Sequence, residues 1–149
     1  MELIKVKPPQ IALALAAASL ALHFAVLHQF MFRYRCLGCG IVLAALGFGL
    51  MVWGWSLFRS HSTPIRPTDQ PIKLVTARAF RFSRNPMYLG IGAMLFGLAL
   101  AIGSLPMLVA PIGFLVLMDR VFIPYEEQRL RQTFGSVYEE YQNDVRRWL

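Results

Sequence analysis

Hydrophobic positions in this chain fall in long unbroken runs, and charged positions are confined to the gaps between them. No Asp, Glu, Lys or Arg occurs between Lys7 and Arg33, between Arg35 and Arg59, or between Arg84 and Asp119, windows of 25, 23 and 34 residues. About 20 predominantly apolar residues cross a bilayer as a helix. The first two windows each predict one such helix. The third would run about 51 Å as one straight helix, against a hydrocarbon core of ~30 Å. Ile102-Gly103-Ser104-Leu105-Pro106 at its middle carries residues that end one helix and open the next, so it predicts two. The expected passes are Pro9–Phe32, Leu37–Phe58, Met87–Ser104 and Leu105–Ile123, with a connection over 59–86. Length argues against reading the first as a signal peptide, because the apolar run continues well past Ala16-Ala17-Ala18.

Beyond Pro124 the pattern changes. Leu130, Phe134, Val137, Tyr138, Tyr141, Val145 and Trp148 recur at helical spacing among charged and amide residues. This predicts an amphipathic helix over 125–148 on the membrane surface, weakened at Gly135. Small residues recur every four positions at Ala17, Ala21 and Ala25 and at Ala93, Gly97 and Ala101, rows that let helices approach closely and that permit a homodimer. The third and fourth passes are expected to form a tight antiparallel hairpin, with Pro111 kinking the fourth.

Composition agrees with one membrane domain spanning 1–149. Of the 149 residues 56% are apolar and 15% charged, too few polar positions for a large soluble domain. The net charge of +7 bears on orientation. Four passes place 13 Lys and Arg on one face and 2 on the other, whereas three passes would split them 8 to 7. Cytoplasmic loops collect these residues, so both termini are expected inside, in a bacterial inner membrane, and nucleic acid is not the expected partner.

Several candidate sites carry ordinary readings. Cys36 and Cys39 lack the further ligands that zinc needs, and they read best as small apolar side chains at a helix start, with a labile disulfide as the alternative. His23 and His28 lie about 140° apart on a helix, which favours interhelical hydrogen bonding over a shared haem, and no metal site is expected. Gly38, Gly40, Gly90 and Gly92 are expected to pack helices.

The stretch from Lys73 to Gly90 and the pair Glu126-Glu127 stand apart. Arg78, Arg81 and Arg84 interleave with Phe80, Phe82 and Tyr88 before an Asn85-Pro86 helix start, whose exposed N–H groups suit an anion. Acids near a helix start gain ~0.3–1 kcal/mol from the dipole alone. A returning hairpin, however, would bring Glu126-Glu127 beside Asn85-Pro86 on one cytoplasmic rim.

Arg84-Asn85-Pro86-Met87-Tyr88-Leu89-Gly90, followed after a hydrophobic hairpin by Glu126-Glu127, Leu130, Phe134-Gly135, Tyr138, Tyr141 and Val145, resembles the isoprenylcysteine carboxyl methyltransferase and phospholipid methyltransferase family in its small bacterial-type members. The resemblance runs from about Phe58 to the C-terminus and implies a membrane-embedded methyltransferase using S-adenosylmethionine. The cofactor would be held by Lys73, Leu74, Val75, Phe80, Arg84, Asn85, Pro86, Met87, Tyr88, Glu126 and Glu127. Arg120 and Phe122 correspond to the substrate-binding region, and no catalytic base is identified. The pattern departs from the family at Arg78-Ala79, where Gly-Pro is common. The acceptor would be a lipophilic or small molecule carrying a carboxylate, thiol or amine and reaching the site from the bilayer. A non-catalytic helical scaffold is the alternative from another class.

Overall fold

The computed structural model describes residues 6–26, 35–60 and 74–149. Lys73, His28, His61, most of the long connection and the end of the first expected pass lie outside the described residues. The regular elements of the described residues are helices: α1 (Pro8–Val26), α2 (Leu37–Ser60), a 3-10 turn (Arg78–Arg81), α3 (Pro86–Ile102), a second short turn (Pro106–Leu108), α4 (Val109–Leu117), a π-helical turn (Met118–Phe122), α5 (Ile123–Phe134) and α6 (Ser136–Asp144). This is an all-α membrane-protein architecture. Among the described residues three helices are long and apolar enough to cross a bilayer, and α3 is a shorter apolar helix.

The α3–α4 pair expected from their short connection is in contact, but the most extensive helix contact is between α2 and α3. Glycines explain it. Gly40, Gly47 and Gly54 recur every seven residues along α2 and meet Gly97, Gly90 and Met87 of the antiparallel α3. A Cβ on Gly47 would lie 2.6 Å from the Gly90 carbonyl oxygen, and one on Gly90 2.5 Å from the Gly47 carbonyl oxygen. The two backbones touch, which is how apolar helices gain dispersion energy without a hydrophobic drive between them. Gly97 and Ala101 take part in this seam, and Gly92 packs against Leu115 of α4. Gly38 meets nothing within 4 Å, so it is not a packing glycine within the described residues.

The row Ala17, Ala21, Ala25 is likewise exposed. The packed face of α1 carries Ile11, Ala12 and Ser19 instead, and Leu15 reaches the open backbone of Gly113 on α4. A side chain long enough to fill the α1–α4 gap wins over one that would merely permit closer approach. His23 Nδ1 lies 2.8 Å from Ser104 Oγ, an interhelical hydrogen bond tying α1 to the α3–α4 corner. Gly103 ends α3 with φ +74, the left-handed cap that glycine adopts at little cost. Cys36 and Cys39 are joined as a disulfide, not left as two free apolar side chains.

The largest departure from expectation is at the C-terminus. No separate amphipathic helix begins at 125. The backbone runs from α4 through the π turn into α5 with right-handed helical angles at both junctions. The helix then breaks at Gly135, φ +52 and ψ −129, and α6 folds back on the bundle. From Val145, which is extended, the chain leaves α6 and continues to Leu149 as a strap. Gly135 therefore acts as a corner, where the apolar stripe alone predicted only a weak point.

Candidate functional site

The site is built where the start of α3, the top of α5 and the C-terminal strap meet. Pro86 opens α3, its missing N–H costing nothing at a helix start. Asn85 occupies the N-cap position but does not cap with its side chain. Its Nδ2 donates to the Arg147 carbonyl oxygen at 3.0 Å, and its backbone N–H donates to Ser83 Oγ at 3.1 Å. Ser83 Oγ also donates to the Arg147 carbonyl oxygen at 3.3 Å, and the Arg84 N–H donates to the Arg146 carbonyl oxygen at 3.0 Å. The Ser83-Arg84-Asn85 corner is thus clasped by the backbone of the strap.

Beneath this clasp lies an ion-pair network. Arg84 donates from one terminal nitrogen to Glu127 Oε1 at 3.0 Å and from the other to the Gln142 carbonyl oxygen at 3.1 Å. Arg147 donates to Glu127 at 3.2 and 2.8 Å and to Asp119 Oδ1 at 3.2 Å, and Trp148 Nε1 donates to the same Asp119 oxygen at 3.0 Å. The hydrogen bond to Glu127, more than any other effect, holds the Arg147 guanidinium above its ordinary range. Glu127 has both oxygens occupied and its side chain is only 9% exposed, so its role here is structural.

Its sequence neighbour is placed differently. Glu126 Oε1 accepts the Tyr88 hydroxyl at 2.6 Å, and Tyr88 is the only hydrogen-bond partner of this carboxylate among the described residues. Tyr88 stacks edge-on against Phe114. Residues i and i+1 on a helix point about 100° apart, which is why adjacent acids serve different surroundings.

Other expected positions divide into two groups. Val75, Phe80, Tyr138 and Tyr141 form a second apolar cluster with Leu57, and Leu74 packs against it. The Tyr141 hydroxyl donates to the Phe80 carbonyl oxygen at 2.7 Å, and Phe80 meets Phe58 edge-on. Burial pushes the Tyr138 phenol up to about 12 and the Tyr141 phenol further still, so both remain donors. Pro86 and Met87 face Gly54 of α2. Phe122 is fully buried among α1, α3 and α4 side chains and lines no open surface. Arg120 is 81% exposed, at the rim of a groove of about 430 Å³ lined also by Leu89, Leu115, Val116, Asp119 and Trp148. Exposed Val116 places this groove on the flank of the bundle.

Sequence reasoning did not single out Asp119, Gln142 or Arg147 as site residues. Asp119 closes the 34-residue charge-free window at the end of an apolar pass, where a lone acid calls for a partner. Arg147-Trp148 carries the matching guanidinium and indole, but only the fold shows that the tail returns.

Known proteins bear on this geometry. The model of the phospholipid methyltransferase family matches residues 35–137, more than half of the chain. The chain belongs to this family. Among curated relatives, a probable protein-S-isoprenylcysteine O-methyltransferase of Oryza sativa subsp. indica is 39% identical over 92 residues, covering 58% of this chain and 44% of the relative. Protein-S-isoprenylcysteine O-methyltransferase B of Arabidopsis thaliana is 39% identical over 92 residues, 58% of this chain and 43% of its own length. The chain therefore spans less than half the length of these relatives. No solved structure matches it. The family match takes in Asn85-Pro86 and Glu126-Glu127 and ends before the strap that clasps them.

Proposed function

We propose that this chain is a membrane-embedded methyltransferase dependent on S-adenosylmethionine, with Glu126 as the principal acidic contact to the cofactor. The single observation that carries this reading is the unequal state of the two acids. Glu127 is neutralised by Arg84 and Arg147, whereas the one hydrogen-bond partner of Glu126 among the described residues is a phenol. The acidic group left over at the rim suits a ligand of net positive charge. Arg84 Nε is buried and has no acceptor among the described residues, and is a further donor that a ligand oxygen would satisfy. The residues present therefore fit the cofactor implied by family membership.

When bound, S-adenosylmethionine supplies a methyl group already activated on a sulfonium, so alignment and exclusion of water are the protein's chief tasks. Glu126 and Tyr88 would meet the cationic part, since carboxylates and aromatic faces both favour such charge. Leu74, Val75 and Phe80, with Lys73 outside the described residues, would flank it. Glu127, Arg84 and Asn85 hold the corner and the strap in place. The acceptor would approach along the flank groove, whose apolar lining matches a lipophilic tail and whose Arg120 matches an acidic head. An acceptor already deprotonated, thiolate or carboxylate, needs no base, and no His lies in the Arg84–Gly90 or Glu126–Val145 motifs. The basic rim would face the cytosol of a bacterial inner membrane, with both termini on that side.

Titration calorimetry of the detergent-solubilised protein with S-adenosylmethionine tests the cofactor. Saturable binding, weakened at least about tenfold in Glu126→Gln, is expected, since a lost charged hydrogen bond is worth roughly 1.5–3 kcal/mol. No heat in the parent protein would favour a non-catalytic scaffold. Incubating membranes with methyl-labelled cofactor and separating lipid, small-thiol and protein fractions identifies the acceptor.

A further inference from the structure

At the other end of α2 from this site, the first turn of the helix carries the Cys36-Leu37-Gly38-Cys39 loop. Twenty-four helical residues at 1.5 Å each put it about 36 Å from the Ser60 end of the same helix. The Cys36 and Cys39 Cα atoms are 5.3 Å apart, a spacing that a disulfide spans. The Cys39 backbone N–H donates to Cys36 Sγ at 3.2 Å. Cys36 immediately precedes α2, so its sulfur lies at the positive end of the helix dipole, where a thiolate is favoured. Leu37, Gly38 and Cys39 are exposed, and a Cβ on Gly38 would meet nothing within 4 Å among the described residues.

The backbone on either side is anchored. Arg35 Nε donates to the Ala101 carbonyl oxygen at 2.6 Å, and Gly40 is seated against Gly97 and Ala101 of α3. Opening the disulfide would therefore leave both cysteines where they stand. A merely structural cross-link has little to add here, because it joins cysteines only three positions apart in a loop already held by the α2–α3 seam.

We propose that Cys36 and Cys39 form a thiol–disulfide exchange site whose co-reactant is an external dithiol, with Cys36 as the stabilised thiolate. One thiolate of the dithiol attacks the sulfur of Cys39, an exposed residue, forming a mixed disulfide as the Cys36–Cys39 bond breaks and Cys36 leaves as thiolate. The second thiol of the dithiol then attacks its own sulfur in the mixed disulfide and releases Cys39. The dithiol loses two electrons and two protons and becomes a disulfide, and the cysteine pair gains them as two thiols. This chemistry uses none of the residues proposed to bind the methyl donor, so either proposal can fail alone.

The test uses the full-length protein in detergent. Acid-quenched samples should show no alkylation before reduction and two modified cysteines after brief treatment with dithiothreitol at pH 7. After reduction, iodoacetamide should modify Cys36 in Cys39→Ser at least about tenfold faster at pH 6 than it modifies Cys39 in Cys36→Ser, because only the ionised sulfur reacts. Free thiols in the freshly isolated protein, a bond that dithiothreitol fails to open, or identical alkylation rates in the two variants would each overturn the proposal. The two single substitutions check one another for folding, since both remove the cross-link and differ only in which sulfur remains.

Discussion

Replacing Glu127 with Gln separates two acids that are adjacent in sequence. Glu127 accepts hydrogen bonds at 3.0, 3.2 and 2.8 Å from two guanidinium groups, with its side chain 9% and that of Arg84 12% exposed. Breaking a buried ion pair by removing one partner costs about 3–5 kcal/mol. The cost here is smaller, because the Arg147 side chain is 33% exposed and keeps Asp119, and Arg84 keeps the Gln142 carbonyl. About 2–3 kcal/mol is expected after that discount for solvent screening. At ~2–4 °C per kcal/mol for a chain of this size, Tm should fall by about 4–12 °C. Glu126→Gln retains an oxygen for the Tyr88 hydroxyl and should melt within about 2 °C of the parent, since it breaks no ion pair. Tryptophan fluorescence during heating in one detergent measures both. A Glu127→Gln protein melting with the parent would show that the network does not hold the strap. An equal fall in Glu126→Gln would refute the division of labour between the acids.

Other substitutions probe the frame around the site. Gly47→Ala and Gly90→Ala should each lower Tm more than any change at Gly38 or Gly49, because their new Cβ atoms would press on backbone oxygen whereas the latter two meet nothing within 4 Å. Overpacking of this kind costs about 1–3 kcal/mol, and equal melting of all four variants would argue against the glycine seam. Arg78 sits at φ +58, so Arg78→Gly should raise stability by about 1 kcal/mol while Arg78→Ala gives no such gain, as thermal melts would show. Tyr141→Phe removes the donor to the Phe80 carbonyl, in the segment proposed to flank the cofactor, and should cost about 1–3 kcal/mol in the same melts.

Part of the site was legible in the sequence and part was not. Asn85-Pro86 and Glu126-Glu127 stood out because helix starts and paired acids are local patterns, and the structure does bring their surroundings together. Their roles could not be read there. Asn85 looked like a capping residue, yet its amide serves the strap. Arg84 adjoins the helix start expected to suit an anion, yet two of its nitrogens are spent on Gln142 and Glu127. The strap itself was read as the end of an amphipathic helix, because nothing in the stripe from Leu130 to Trp148 reports that Gly135 turns the chain.

The sequence by itself determined the all-α membrane architecture, because removal of apolar surface from water and the cost of a charge in hydrocarbon act on each segment before any two segments meet. The Asn85-Pro86 and Gly103 helix ends were equally local, since they depend on one or two backbone angles. Only the tertiary structure decided that Gly40, Gly47 and Gly54 meet α3, that Glu126 and Glu127 part company, and that Arg147 closes over both arms of the hairpin. Those outcomes depend on which of several equally apolar faces pack together. That choice is set by contact geometry between distant segments, to which hydrophobic periodicity is blind.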